Sequence, residues 1–302
     1  MKEPISRYAR VGLSHHMLYS KCMVDADDHV VTFEKFLRRD DIETFDCCLP
    51  YGEERRKRLI PQVLQCGKEA VYAAHLFPLY LISLGTTSLQ EQGLTRLFYR
   101  DQIEVASRMG ATGFVFATGG DAPLDKRPAA LAACRDFCRW FAGELAKKGI
   151  VALLEPFDRF TDKKFLLGST EECVALIRSL EPEIDNFGIE LDFAHVPLMR
   201  ETFEHAVRTA APVLKRVHLG NCVLKDPSHP LFGDKHPPMG IGGGEIDVPE
   251  LTEILRLLLE IGYLNEKGRG ALIIESQPFP GRSAEETATD QMGRLEAAWR
   301  GV

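Results

Sequence analysis

Eight short apolar runs recur along the chain, separated by longer segments with helical periodicity. Roughly 30–40 residues separate successive runs, which is the length of a strand and a helix with their loops. Eight such units, with no glycine-rich phosphate-binding turn after the first run, predict an α/β fold, a (β/α)8 TIM barrel, over an open doubly wound sheet. The runs are Ala9–Leu13, Ile42–Cys48, Val71–Phe77, Gly113–Ala117, Ile150–Glu155, Phe187–Asp192, Leu214–His218 and Leu272–Glu275.

Helix-start signals support this alternation. Ser169 is followed three residues later by Glu172, and Asp247 is followed in the same way by Glu250, so both pairs predict capping boxes. No linker or low-complexity segment divides the chain, and we therefore expect residues 1–302 to form a single barrel domain.

One connection, residues 221–246, is long for a loop of such a barrel. It is rich in proline and glycine and also carries apolar and histidine side chains, among them Phe232, His236 and Met239. Long ordered loops in compact domains are usually functional. We expect this loop, which follows the seventh strand, to cover an active site.

Composition excludes several classes of function. The net charge of −7 argues against a nucleic-acid partner, for which a basic surface is expected. The chain begins without the apolar core of a signal peptide and contains no apolar stretch long enough to span a bilayer, which predicts a cytoplasmic protein with no membrane partner. The eight cysteines are expected to be free, buried thiols, because the chain is long and their spacing suggests no disulfide framework.

Four of the apolar runs end in a potential metal ligand: Glu155, Asp192, His218 and Glu275. These runs are the fifth to eighth, so in a barrel they are neighbours whose ends share the C-terminal face, where active sites lie. Three carboxylates and one imidazole suit a divalent cation. The imidazole widens the choice of ion toward manganese, iron, cobalt or zinc.

The motifs around these residues resemble those of the xylose-isomerase-like sugar isomerases and epimerases, which include the ketose 3-epimerases. The matching segments are Glu155-Pro-Phe-Asp-Arg159, Leu191-Asp-Phe-Ala-His195, Val217-His-Leu-Gly-Asn221 and Ile274-Glu275-Ser276. The resemblance implies a TIM barrel that holds one divalent metal at Glu155, Asp192, His218 and Glu275. Manganese is then the leading expectation, with Mg²⁺, Co²⁺ and Zn²⁺ as the other candidates. It also implies that Glu155 and Glu275 act as the catalytic acid and base, and that His195 contacts a small carbohydrate substrate.

Elementary chemistry agrees with that implication. A metal bound to two adjacent sugar oxygens polarises the carbonyl and stabilises an enediolate, so that a carboxylate can remove the neighbouring proton. Return of the proton to the opposite face of the same carbon gives epimerisation, and relay to the adjacent carbon gives isomerisation. Arg159, Lys225 and His236 are further candidates for substrate binding. The other candidate histidines of the site are His229, His75 and one of His15 and His16.

A second prediction concerns two charges inside the barrel. Glu190 and Arg216 each precede a predicted ligand by two residues, so their side chains should point to the same face as that ligand. A buried charge is costly unless it is paired, and the two strands are predicted neighbours. We expect Glu190 and Arg216 to pair beneath the metal and to orient Asp192 and His218.

The sequence departs from the ketose 3-epimerase pattern in two places. Thr161 stands where those enzymes carry another glutamate, and the segment Asn221-Cys-Val-Leu-Lys225 replaces an Asn-Arg-type segment. The alternative reading is therefore a lyase on 3-oxo-sugars, such as the catalytic subunit of a C-glycoside deglycosidase or an oxo-sugar dehydratase. A homo-oligomer or a small partner subunit fits either reading. A base-excision endonuclease is less favoured because such enzymes use a richer multi-metal set, and a non-catalytic barrel is less favoured because all four ligands are present.

Overall fold

The computed structural model describes residues 1–74, 82–181 and 183–302. Its parallel strands close into an eight-stranded barrel in which each strand pairs with the next and β8 pairs with β1, which confirms the predicted fold. Residues 75–77 of the predicted third run lie outside the described ranges. The strands are β1 Ala9–Ser14, β2 Thr44–Cys47, β3 Glu69–Ala73, β4 Gly113–Phe116, β5 Val151–Leu154, β6 Phe187–Asp192, β7 Leu214–Leu219 and β8 Gly270–Ile274.

Helices occupy most of the connections. Those described are α1 His15–Leu18, α2 Ala26–Leu37, α3 Glu53–Gln65, α4 Leu89–Arg108, α5 Arg127–Ala146, α6 Thr170–Leu180, α7 His195–Leu198, α8 Phe203–Ala210, α9 Val248–Glu260 and α10 Ala284–Gly301. A 3-10 turn, Ser20–Met23, lies between α1 and α2. Within the described residues, none of these helices is both long and apolar enough to cross a membrane.

Capping side chains set the helix starts that the sequence predicted. The Ser169 hydroxyl accepts a hydrogen bond from the backbone N–H of Glu172 at the start of α6, but the Glu172 carboxylate binds Arg127, so only half of the predicted capping box forms there. Asp247 and Glu250 form a reciprocal capping box at the start of α9. Each such cap satisfies backbone N–H groups that the helix leaves unpaired, which contributes about 1 kcal/mol and fixes where the preceding loop must end.

Aromatic side chains fill the space between the helices and the barrel. Phe33 and Phe36 of α2 pack against Phe45 of β2, with ring centroids 6.1 and 5.8 Å apart. Phe141 of α5 packs against Phe114 of β4 at 5.0 Å. All five rings are buried, and full burial of such a side chain stabilises the fold by about 1.5–3 kcal/mol. The strands are thereby held rigidly, which fixes the directions of the side chains at their C-terminal ends.

The inside of the barrel is divided into an apolar and a charged half. Val71, Ala73, Val115 and Leu153, from β3 to β5, form a small apolar cluster separate from the main core. Opposite them stand Asp46, Glu190 and Arg216 from β2, β6 and β7, all buried. Since charges without partners are costly in such an interior, the charged half must be internally paired.

Candidate active site at the C-terminal end of the barrel

A cavity of about 310 Å³ opens where the strands end. Its lining includes three residues that directly follow strands, namely Ala117 after β4, Glu155 after β5 and Glu275 after β8, and also His16, two residues after β1. This is the face of a TIM barrel on which active sites are built, and the volume suits a small molecule.

Three of the four predicted metal ligands form one buried group in this cavity. One oxygen from each of Glu155 and Glu275 and one ring nitrogen of His218 lie within 4.8 Å of one another. Burial and the neighbouring carboxylates Glu190 and Glu275 raise the pKa of Glu155 well above its usual range. Burial acts in the same direction on Glu275, but His218 and His236 outweigh it and hold the pKa of Glu275 far below its usual range. The two glutamates therefore sit in opposite electrostatic environments.

The fourth predicted ligand, Asp192, lies in an adjoining group. Its Oδ1 accepts hydrogen bonds from the backbone N–H groups of Ala194 at 2.9 Å and Gly220 at 3.1 Å, which fix the carboxylate. Its Oδ2 faces His195 Nε2 at 3.6 Å and His236 Nδ1 at 3.7 Å. Gly220 is needed here, because a Cβ at that position would lie 2.5 Å from Asp192 Oδ1.

The loop 221–246 brings Asp234 and His236 into the site. Asp234 Oδ1 lies 2.9 Å from His236 Nε2 and 3.4 Å from His195 Nε2. Although burial opposes it, the Asp234 carboxylate raises the pKa of His236 to about 10, so this imidazole is protonated at neutral pH. His195 Nδ1 donates to the carbonyl oxygen of Pro156 at 2.7 Å, and since a carbonyl can only accept, this bond leaves Nε2 facing the two aspartates.

Beneath the cavity, Glu190 and Arg216 do not form the ion pair that we expected, so that prediction is wrong. Both side chains are buried and their Cα atoms are register partners, yet Arg216 extends instead to Asp46, with Nε 2.9 Å from Oδ1. Asp46 also contacts His218, whose Nε2 lies 2.9 Å from Oδ2. Glu190 in turn lies 3.0 Å from His218 Nδ1. Arginine is long enough to cross the barrel interior, so it pairs with a distant strand rather than with its neighbour.

Two predicted substrate-binding cations lie outside the cavity lining of the described structure. Arg159 Nη2 binds Asp121 at 2.8 Å on the outer side of the β5 loop. Lys225 is largely exposed and lies 3.5 Å from Glu245. The lysines that line the cavity are Lys163 and Lys235, which sequence reasoning missed.

A turn in the loop after β5 explains why Lys163, and not Arg159, lines the cavity. The Asp158 carboxylate accepts hydrogen bonds from the backbone N–H groups of Phe160, Thr161, Asp162 and Lys163 at 2.6–2.9 Å. This wraps the chain around Asp158 and turns Lys163 toward the cavity, where its Nζ lies 3.3 Å from Asp234 Oδ2. The sequence signal that could have predicted this turn is an aspartate followed by four residues without regular periodicity.

The other candidate histidines differ in whether they line the cavity. His16 lines the cavity with Nε2 3.9 Å from Glu275 Oε1, whereas His15 packs behind the wall among aromatic rings. His229 accepts a hydrogen bond from Leu231 N–H within its own loop. His75 lies outside the described residues.

The donor set fits a divalent cation. Both carboxylate oxygens of Glu190, Oδ2 of Asp192 and Nε2 of His195 are buried without a hydrogen-bond partner. An unsatisfied buried polar group costs about 1–3 kcal/mol, and a cluster of carboxylates adds mutual repulsion. A cation held by carboxylate oxygens and an imidazole offsets both costs. The ions that prefer such donors are manganese, magnesium, cobalt and zinc.

A protein-family model described as a xylose isomerase-like TIM barrel matches residues 40–298 of the sequence. The search of curated proteins finds no match.

Solved structures of similar fold cover almost the whole chain. A D-tagatose 3-epimerase-like protein is 19% identical, with 97% of this chain and 99% of that chain covered and a TM-score of 0.72. A 3-keto-D-glucoside 4-epimerase from E. coli is 14% identical, with coverages of 95% and 98% and a TM-score of 0.65. A family 2 AP endonuclease from Brucella melitensis is 15% identical, with coverages of 94% and 98% and a TM-score of 0.67. At these identities the likeness shows a shared fold.

Proposed function

The chain belongs to the xylose isomerase-like TIM-barrel family, and we propose that it is a divalent-metal-dependent sugar epimerase or isomerase that removes a proton next to a carbonyl. One observation carries the proposal. Glu155 and Glu275 enter one small cavity from β5 and β8, and their carboxylates stand together with the His218 imidazole. Two carboxylates on different strands can meet two faces of one bound sugar, which is what proton removal and return require.

Glu155, Asp192, His218 and Glu275 would hold the metal. When bound, the ion supplies a Lewis acid that makes the proton next to the carbonyl easier to remove. The residues of the chain carry out the proton transfers. One glutamate accepts the proton from carbon and the other delivers a proton, to the opposite face for epimerisation. Asp46 and Glu190 flank His218, and the backbone N–H groups of Ala194 and Gly220 fix Asp192.

Keto sugars are the substrate class we propose. Two of the solved relatives are named as a D-tagatose 3-epimerase-like protein and a 3-keto-D-glucoside 4-epimerase, and both names denote sugars that carry a ketone. In this chain, His16, Lys163, Lys235 and Gln277 line the cavity and offer hydrogen bonds to sugar hydroxyls. Manganese is the proposed ion. Association with a second copy or a small partner subunit, and a cytoplasmic location, stay predictions from the sequence.

The test is turnover by the manganese-loaded protein on two panels, free ketoses and 3-oxo-glycosides. The proposal expects epimers or isomers as products, and a decrease in rate of about 10²–10⁴-fold on Glu155→Gln or Glu275→Gln. Glu172→Gln is the matched control, because Glu172 lies outside the cavity lining and pairs with Arg127. Products formed only by elimination or C-glycoside cleavage would reject the epimerase and favour the lyase.

A second candidate function is cleavage of a phosphodiester at an abasic DNA site. The observation that favours it is a second group of potential metal ligands, Asp192, His195 and His236, which adjoins the first. The sequence argument against an endonuclease was that such enzymes use more metal ligands than a single quartet. Its test is binding and cleavage of a duplex with one abasic site against an intact duplex, across a range of salt concentrations. The net charge of −7 keeps this candidate second.

A further inference from the structure

A second group of potential metal ligands lies behind the wall of the cavity. His15 in α1, Cys22 in the 3-10 turn Ser20–Met23 and His29 in α2 place one donor atom each within 4.8 Å of one another. Their exposed fractions are 0%, 3% and 1%. None of the three lines the cavity in the described structure, so this group is separate from the carboxylate site.

Hydrogen bonds fix the tautomers of both imidazoles. The Thr32 hydroxyl donates to the carbonyl oxygen of Asp28 at 2.8 Å, so it accepts from His15 Nε2–H at 3.2 Å. His29 Nε2 lies 3.1 Å from the carbonyl oxygen of Cys48, which can only accept. Nε2 therefore carries a proton in each ring, so a metal ion would have to bind at Nδ1. Metal-binding histidines show this same pattern, in which an outer hydrogen bond orients the ring.

An unpartnered atom points to a ligand. His15 Nδ1 is buried and has no hydrogen-bond partner, although it carries a lone pair. Burial and the neighbouring histidines hold the pKa of His15 well below its usual range, so the ring is neutral. The pair of Cys48 Sγ and Met23 Sδ, 3.8 Å apart, lies close by, and Cys48 interacts electrostatically with Cys22. Nitrogen and sulfur donors gathered in this way select a soft or borderline ion.

We propose that His15, Cys22 and His29 bind a structural ion of the zinc class, distinct from the ion of the carboxylate site. Two imidazoles and one thiolate are ligands that zinc takes in four-coordinate sites, and Cys48, whose Sγ contacts Met23 in this structure, is the candidate for a fourth ligand. Neighbouring ligand atoms around zinc are about 3.3–3.8 Å apart, so donors within 4.8 Å of one another need to close by at most about 1.5 Å. Cys22 loses its proton to solvent as the ion binds.

Such an ion would fasten one wall of the cavity. His16, Met17, Ser20 and Met23 line the cavity and lie on the same short segment that carries His15 and Cys22. Bonds from His15, Cys22 and His29 to one ion would tie this segment to α2. The ion would act on the neighbouring cavity by positioning the wall, without touching the substrate.

Cobalt substitution tests the proposal, because a thiolate–Co(II) bond has a near-ultraviolet charge-transfer band and the proposed carboxylate site has no sulfur ligand. Protein purified from cobalt-supplemented cells should show this band and lose it, with one ion per chain, on Cys22→Ser. Cys222→Ser is the matched control, since Cys222 is buried and interacts with Asp234 and Asp192 beside the cavity. The control should keep the band.

Absence of the band from the folded wild-type protein, or its survival in Cys22→Ser, would overturn the assignment. Circular dichroism reports whether each variant folds. Should Cys22→Ser not fold, His29→Gln serves instead, because its amide can still donate to the Cys48 carbonyl. That variant should lose the second ion, and an unchanged band and metal content would reject the site. None of these readouts depends on turnover, so they separate this proposal from the proposed function.

Discussion

Arg216 links the strand interior to the cavity floor. Its guanidinium binds Asp46 across the barrel, and Asp46 contacts the His218 imidazole at the base of the site. Burial alone would raise the pKa of Asp46, but Arg216 and His218 hold it below its usual value. Asp46 is therefore ionised, and it can keep the His218 ring oriented for a metal on its other side.

Arg216→Met should destabilise the protein by about 3–5 kcal/mol, because it leaves Asp46 buried without its main partner. Urea unfolding followed by circular dichroism measures the change. The double variant Arg216→Met, Asp46→Asn should recover much of the loss, since neither charge then remains. If the single variant is as stable as the wild type, the pair has no structural role.

From the sequence, we could predict which residues form the site better than which residues they contact. Glu155, Asp192, His218 and Glu275 all end apolar runs, and strand ends of one barrel face must converge. Alternation along a strand shows which face a side chain is on, and by that rule Glu190 and Arg216 were correctly placed inside. It does not show which residue across the barrel a long side chain reaches, and so the Asp46 partner was missed.

At the scale of elements, the loop 221–246 is an ordered part of the site. Asn221 organises it, since its Oδ1 accepts from the backbone N–H groups of Cys222, Glu245 and Ile246 and its Nδ2 donates to the Pro238 carbonyl. The two ends of the loop are thereby held together, and the middle carries Asp234 and His236 into the cavity. Length and composition predicted a cover, whereas the Asn221 bonds could not be read from them.

The His236–Asp234 contact gives the metal-free protein a pH-dependent stability. The pKa of His236 is raised from 6.5 to about 10, so the contact stabilises the fold fully below about pH 6.5 and is lost as pH rises through about 10. His236→Asn should therefore cost about 1.5–3 kcal/mol at pH 6 and much less above pH 10. Asparagine suits this position because φ is 47°.

Thermal unfolding at several pH values measures this difference. In an Asp234→Asn background, the effect of the same substitution at His236 should depend much less on pH, because the carboxylate that raises the pKa of His236 most is gone and only Glu275 and Asp192 still raise it. A wild-type-to-variant difference that grows between pH 7 and pH 10 would contradict the assignment.

At the scale of the whole molecule, buried carboxylates gather at one end of the barrel. Buried carboxylates from five strands or their following loops meet there, while the opposite half of the interior is apolar; they are Asp46, Glu155, Glu190, Asp192, Asp234 and Glu275. The aromatic packing of helices on strands stabilises the barrel against the repulsion between these carboxylates. The alternation of runs and helical segments was enough to predict the closed barrel, because few other folds accept eight such units.

Removal of divalent metal should therefore lower the melting temperature. Manganese at a hundredfold excess over its Kd should add about 2.7 kcal/mol to the free energy of unfolding. Scanning calorimetry after chelation, with and without added manganese, measures the shift. Asp192→Asn should reduce the shift, whereas Cys22→Ser should leave it unchanged, because manganese prefers oxygen donors to thiolates. Equal melting temperatures with and without metal would contradict the carboxylate site.

Proton removal next to a carbonyl is the central claim, and hydrogen–deuterium exchange at carbon measures it most directly. The manganese-loaded protein is incubated in D2O with keto sugars, and proton NMR follows the signal of the carbon next to the ketone. The account predicts deuterium incorporation there by the wild type and by Glu172→Gln, and a rate lower by about 10²–10⁴-fold in Glu155→Gln and Glu275→Gln. Deuterium incorporation at an unchanged rate in both glutamate variants, or none with any keto sugar in the folded, metal-loaded wild type, would contradict it.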